Sequence, residues 1–112
     1  MVVDDDQIDR LFHALADRTR RDIVTRTMAA DHSVSSLADH YAMSFAAVQK
    51  HVAVLERAGL VTKERTGRRK VVRTNMEALR LARALLDEYE LLWRGRIDRM
   101  TDLIARMEDP HP

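Results

Sequence analysis

The sequence predicts a mainly helical domain that carries one small β-hairpin. Several stretches repeat apolar residues at helical spacing, and one short stretch is rich in β-branched residues on both sides of a glycine. Glycine and proline number only three and two in 112 residues, so helix breakers are scarce. Because a chain of this length has room for one compact core, we expect a single domain over residues 1–112.

Two amphipathic helices are expected at the start of the chain. The apolar stripe of the first follows an i, i+3, i+4, i+7, i+8 pattern and comprises Ile8, Leu11, Phe12, Leu15 and Ala16. The second begins after Asp17. Its expected buried stripe comprises Ile23, Val24, Thr27 and Met28.

A helix-turn-helix is predicted over residues 33–58. Ser33 and Ser44 are good N-caps for a short helix that reaches Tyr41 and for a second helix that runs to Ala58. Gly59 supplies the left-handed residue that ends the second helix. The buried face expected for this second helix comprises Phe45, Val48, Val52 and Leu55.

A basic hairpin and a long helical region complete the chain. The hairpin, or wing, is predicted over residues 61–74 with Gly67 in its turn, and C-terminal dimerisation helices over 76–107 allow a break near Asp87. The resulting order, α-α-α-α-β-β-α, is that of a dimeric winged helix-turn-helix, in which the second helix of the motif enters the major groove of DNA.

Charge is distributed unevenly along the chain. The net charge is only +1, yet residues 57–73 contain seven basic residues and a single acid, Glu64. Residues 87–109 contain seven acids and four arginines. One region of the molecule therefore attracts polyanions and another does not.

The helix that follows Ser44 has an outer face suited to a DNA groove. Small side chains allow close approach to the bases, and an amide recognises adenine. A lysine reads guanine or holds a phosphate, and a hydroxyl at the helix start holds a phosphate. Such residues are also ordinary on a solvated helix, but five basic residues within positions 63–70 favour DNA. The predicted DNA contacts are Ser44, Ala46, Ala47, Gln49 and Lys50 on the helix, and Lys63, Arg65, Arg68, Arg69 and Lys70 on the wing.

Three segments resemble the ArsR family of bacterial winged-helix regulators: LFHALADRTRRDIV (11–24), SVSSLA (33–38) and MSFAAVQKHVAVLERAGLV (43–61). The likeness spans about residues 8–107, and LLWRGRIDRM (91–100) resembles the branch whose members lack metal sites. The resemblance implies a homodimeric repressor on a pseudo-palindromic operator, often its own promoter, and adds His51 as a phosphate contact. Gln49 and Arg18 depart from the family pattern, where Ser or Thr and Pro are usual.

No cofactor, metal site or catalytic centre is expected. Cysteine is absent, and the five histidines (His13, His32, His40, His51 and His111) lack chelating spacing. No nucleophile has a base at a recognisable spacing, and no glycine-rich phosphate loop occurs, which argues against an enzyme. The N-terminus lacks the pattern of a signal peptide and no stretch is long enough to span a membrane, so we expect a cytoplasmic protein.

The last helical region carries an apolar seam at 3-4 spacing, as in heptad a and d positions. It could pack on its own domain, but a helix extending beyond so small a domain usually finds a partner. The predicted homodimer interface comprises Leu86, Tyr89, Trp93, Ile97, Met100, Leu103, Ile104 and Met107.

Two other functions remain open at this point. A winged helix that has lost DNA recognition would serve as a protein-interaction module, because a fold does not determine a function. A sensor of a metal or of a small molecule would use residues that have no recognisable pattern.

Overall fold

The computed structural model describes residues 4–108, which leaves His111 outside. Seven elements follow one another as α1 (Asp5–Leu15), α2 (Arg18–Ala29), α3 (Val34–Ala38), α4 (Phe45–Arg57), β1 (Val61–Thr66), β2 (Arg69–Thr74) and α5 (Met76–Glu108). The predicted order of four helices, a hairpin and a final helix is confirmed. The chain divides between Ala82 and Arg83 into two compact units.

Side chains cap the first four helices at their N-termini. The carboxylates of Asp4 and Asp17 accept hydrogen bonds from the backbone N–H groups of Asp6 and Arg20. The hydroxyls of Ser33 and Ser44 accept from Ser36 and Ala47, both over 3.1 Å. Each cap contributes about 1 kcal/mol and fixes where its helix begins. Predicting Ser33 and Ser44 as caps was therefore correct, and Ser44 sets where the turn between α3 and α4 ends.

The core of the first unit is formed by all four short helices, the bases of both strands and the start of α5. Its nine largest fully buried side chains are aliphatic, and burying each contributes about 1.5–3 kcal/mol. They are Leu11, Ile23, Leu37, Leu55, Leu60, Val48, Val52, Val61 and Val72.

Three residues predicted to be buried are exposed. Phe45 is 46% exposed and Met28 is half exposed. Ala16 is exposed as the C-cap of α1, and Ala14 takes its place in the core. All three lie at the margin of an apolar stripe and at a helix end, where neighbouring elements cover only part of the circumference.

The base of the hairpin is fastened to α2 and to the segment that precedes α3. The N–H of Val72 donates to the carbonyl of His32 over 2.7 Å, and the hydroxyls of Thr27 and Thr74 lie 2.8 Å apart. Asn75 donates through its amide to the carbonyl of Gly59. The hairpin therefore leaves the core from a fixed base.

Helix α5 is continuous from Met76 to Glu108, so the break that the sequence analysis allowed near Asp87 was wrong. The Arg83 Nε and an Asp87 carboxylate oxygen lie 3.7 Å apart, one turn apart in sequence. This i, i+4 pair stabilises a helix, and neither glycine nor proline occurs between Arg83 and Arg94. From Arg83 to Glu108 no side chain is buried.

A hydrogen-bonded triad joins α2 to the turn of the helix-turn-helix. The Tyr41 hydroxyl donates to Asp22 Oδ2 over 2.6 Å, and Arg26 Nε donates to the same oxygen over 2.8 Å. Burial and the bond to Asp22 raise the pKa of Tyr41 to about 12. The bonds from Tyr41 and Arg26 lower the pKa of Asp22. The Tyr41 hydroxyl therefore remains protonated and holds the residues just before α4.

We predict that Tyr41→Phe lowers the free energy of unfolding by about 1 kcal/mol at neutral pH, because it removes a hydrogen bond to a half-exposed carboxylate. The folded-state pKa of Asp22 is depressed, so this contribution is complete above its ordinary pKa of about 4 and is lost as pH falls through the lower folded value. Urea denaturation of the wild type and of Tyr41→Phe at pH 7 and at pH 3 measures the loss of stability and its dependence on pH. A Tyr41→Phe effect that persists undiminished in an Asp22→Ala background would contradict this role.

Candidate nucleic-acid interface

The structure places the predicted contacts of α4 on one side of that helix. Ala46, Gln49 and Lys50 are exposed, and Ala47 and His51 are half-buried. The opposite side, Val48, Val52 and Leu55, is fully buried. Burial of one stripe thus fixes which residues α4 presents outward.

Ser44 stands at the N-terminal end of this outward face. Its side-chain oxygen accepts a hydrogen bond from the N–H of Ala47 over 3.1 Å. The hydroxyl proton is not used by that bond and remains able to donate. A helix N-terminus with a free hydroxyl favours a phosphate oxygen, since the helix dipole is positive there.

The hairpin presents an exposed cationic surface. Lys63 Nζ lies 3.8 Å from a carboxylate oxygen of Glu56 on α4, which ties the start of β1 to that helix. The other four basic residues predicted to contact DNA from the wing make no ion pair with any residue from 4 to 108. They are Arg65, Arg68, Arg69 and Lys70.

The register of the hairpin brings like charges together. Arg65 on β1 pairs directly with Lys70 on β2, and Arg69 is adjacent, opposite Thr66. Like charges directly opposite each other across two strands destabilise a hairpin. A cluster that weakens its own element is better explained by attraction to a polyanion than by folding.

Gly67 makes this tip possible. It has a φ of +64° at the first position of the two-residue turn Gly67-Arg68, as a type II′ hairpin turn requires. The turn presents the Arg68 side chain at the end of the hairpin. Arg68 therefore stands on a tight turn between the two strands rather than on a loose loop.

His51 has two charged neighbours behind α4. Its Nδ1 lies 3.4 Å from Arg20 Nη1 and 3.8 Å from Asp17 Oδ2. The pKa of Asp17 is lowered, chiefly because its carboxylate accepts a hydrogen bond from the backbone N–H of Arg20. A negative carboxylate and a guanidinium therefore both stand beside this histidine.

Sequence reasoning missed two features of this surface. Phe45, expected in the core, exposes nearly half of its ring at the first position of α4, beside Ser44 and Ala46. The contact between Arg20 on α2 and His51, 31 residues further along the chain, was not predicted either. Periodicity alone signals neither, because both depend on which element packs nearby.

The apolar seam predicted on α5 is solvent-exposed in this chain. Every large apolar side chain that belongs to it is between 41% and 73% exposed, and Leu91 and Leu92, which lie off the seam, are also exposed. Apolar exposure of this extent is typical of a surface that meets a partner. The seam residues are Leu86, Tyr89, Trp93, Ile97, Met100, Leu103, Ile104 and Met107.

Among residues 4–108, no three His, Asp or Glu side chains come together in a group that could hold a metal ion. Within the same range, no helix is both long and apolar enough to cross a membrane.

Known proteins with similar sequences and folds are transcriptional regulators. A helix-turn-helix domain model matches residues 15–64. The HTH-type transcriptional regulator Rv2034 of Mycobacterium tuberculosis is 38% identical over 81 residues, which cover 72% of this chain and 76% of that protein.

Solved structures agree with this result. An ArsR-like transcriptional regulator from Rhodococcus sp. RHA1 is 31% identical with a TM-score of 0.77, and the match covers 87% of this chain and 92% of that one. A homodimeric winged helix-turn-helix DNA-binding domain from Mycobacterium bovis shares the fold at 24% identity and a TM-score of 0.61, over 76% of this chain and 80% of that one.

The order of elements, the exposed face of α4, the basic wing and these relatives lead to one conclusion. The chain belongs to the ArsR family of winged helix-turn-helix DNA-binding transcriptional regulators.

Proposed function

We propose that this regulator is a homodimeric repressor that binds a pseudo-palindromic operator, including one in its own promoter, in the cytoplasm. The observation that carries the proposal is the like-charged Arg65 and Lys70 pair on a wing whose base is fixed to the core. The two positive charges repel each other in the free protein, and DNA phosphates neutralise them in the complex.

The two parts of the interface have different roles. Gln49 and the small residues Ala46 and Ala47 lie on the exposed or half-buried side of α4, where an amide reads adenine and alanine permits close approach. The wing cations contact phosphates, which adds affinity without sequence preference. Specificity therefore belongs to α4 and most of the affinity belongs to the wing.

The second copy is proposed to bind along the exposed seam of α5. Trp93 and Ile97 lie near the middle of this seam, and both expose more than 40% of their surface in the single chain. The homodimeric state of the related domain from Mycobacterium bovis supports the same assembly here. Two-fold symmetry would set two α4 helices about 34 Å apart, one turn of DNA, and this spacing matches a palindrome.

Repression by such a dimer needs neither catalysis nor a metal ion. A protein that occupies a promoter excludes the polymerase by position alone. A change in the angle between the two copies would then be sufficient to release the operator.

We predict that Gln49→Ala and Arg68→Ala separate specificity from affinity. Gln49→Ala should lose about tenfold in affinity for the preferred operator and little for other duplexes, because it removes a base contact. Arg68→Ala should weaken binding to all duplexes alike and reduce the slope of log K against log salt by about one for each copy of the chain.

Fluorescence anisotropy with operator and scrambled duplexes between about 50 and 200 mM salt measures both effects. Thr66→Ala, at the same hairpin tip but uncharged, is the control for the wing and should keep the wild-type slope. Uniform losses on every duplex for both Gln49→Ala and Arg68→Ala would contradict this division of roles.

We also predict that Ile97→Asp converts the dimer to a monomer, because it places a charge in the middle of an apolar contact. Leu91→Asp is the matched control: Leu91 lies on the same helix, is 70% exposed and points away from the seam. Sedimentation velocity should give a monomer for Ile97→Asp and a dimer for Leu91→Asp. Dimers for both variants would rule out this interface.

A further inference from the structure

Arg20 lies behind the DNA-binding helix, and its guanidinium joins three helices. Nε donates to the carbonyl of Ala14 over 2.8 Å, and Nη2 donates to the carbonyl of His13 over 2.9 Å. These carbonyls belong to the last turn of α1, where that of His13 also accepts from the N–H of the C-cap residue Ala16 over 3.2 Å. Nη1 lies 3.4 Å from Nδ1 of His51 on α4. Two hydrogen bonds to α1 therefore fix the orientation of the guanidinium, and this orientation places Nη1 beside His51.

The chemistry of arginine decides the tautomer of His51. A guanidinium carries only donors and stays protonated, so the nitrogen that it meets must be the acceptor. Nδ1 of His51 is therefore unprotonated, and the ring proton lies on Nε2. The opposite tautomer would turn Nδ1–H toward Asp17 Oδ2, but those atoms are 3.8 Å apart, beyond hydrogen-bond reach.

The other edge of the ring is available to a ligand. Nε2 of His51 meets no hydrogen-bond partner among residues 4–108, and it is not among the enclosed polar atoms that lack one. The side chain is 23% exposed and is adjacent to Lys50, which faces outward on α4. A neutral N–H donor beside a lysine on such a helix suits a phosphate oxygen of the DNA backbone.

We infer that Arg20 is a positioning residue of the DNA-binding surface, which holds His51 in the neutral tautomer whose Nε2–H donates to a DNA phosphate. The inference rests on the proposed function, because it requires α4 to lie against DNA. Arg20 itself does not touch DNA in this account. Its effect passes through one hydrogen bond to His51.

The first test needs no DNA. In the uniformly ¹⁵N-labelled protein at pH 8, long-range ¹H–¹⁵N spectra should show His51 Nδ1 as an unprotonated ring nitrogen and Nε2 as a protonated one. The His51 signals are assigned by their loss in His51→Gln. Arg20→Lys should give a mixture of tautomers, because a lysine ammonium lacks the planar fork whose three nitrogens face the two α1 carbonyls and Nδ1.

Arg21→Lys is the matched control for this test. Arg21 is the adjacent residue and carries the same charge, and it also donates to a carbonyl at the end of α1, that of Leu15, over 2.8 Å. It makes no hydrogen bond with His51, so its replacement should leave the His51 spectrum unchanged. A proton on Nδ1 in the wild-type protein, or equal spectral changes for Arg20→Lys and Arg21→Lys, would overturn the inference.

The second test measures affinity for duplex DNA. His51→Gln keeps an N–H donor near the position of Nε2 and should bind within about threefold of wild type, whereas His51→Asn places its amide near Nδ1 and should lose about tenfold on every duplex. Arg20→Lys should lose a similar factor and Arg21→Lys should not. The salt slope should stay constant in His51→Asn, because a neutral donor releases no counterion.

The outcomes separate the two proposals. Normal binding by the wild type together with equal affinities for His51→Gln and His51→Asn would overturn the role of Arg20 and His51 alone. No salt-dependent binding by the wild type would overturn the proposed function, and this inference with it. Circular dichroism melts establish that each variant is folded at the temperature of the titration.

Discussion

The buried stripe of α4 is the constraint on which the rest of this surface depends. Val48, Val52 and Leu55 are fully enclosed, and together they fix the rotation of the helix about its axis. Because the stripe occupies one side, Gln49 and Lys50 must face outward. A polar residue at Val52 would therefore affect DNA binding through the orientation of the whole helix and not through any contact of its own.

Around this helix, the structure combines fixed supports with an unfavourable concentration of charge. Asp22 and Tyr41 hold the turn before α4, and the carbonyl of His32 holds the base of the hairpin. At the tip, Arg65 faces Lys70 across the strands. The supports maintain a hairpin that its own charges would weaken, and this is understandable if the charges are neutralised when the protein is bound to DNA.

Much of this arrangement could be predicted from the sequence, because it depends on local signals. Ser33 and Ser44 mark helix starts through their capping chemistry, and Gly67 marks a hairpin turn because it tolerates positive φ. Phe45 was misplaced because its position at a stripe margin leaves its burial to tertiary packing. The bond between Arg20 and His51 gives no signal in the sequence at all, since it joins residues 31 positions apart whose separation in space is known only from the fold.

The central claim is that α4 and the wing together make a sequence-specific DNA surface. The most direct test is a fluorescence anisotropy titration of the purified wild-type protein against duplex DNA from its own upstream region and against a scrambled duplex of equal length, over a series of salt concentrations. We expect tighter binding to the upstream DNA and an affinity that falls steeply as salt rises. Weak binding that is equal for both duplexes and insensitive to salt would contradict it.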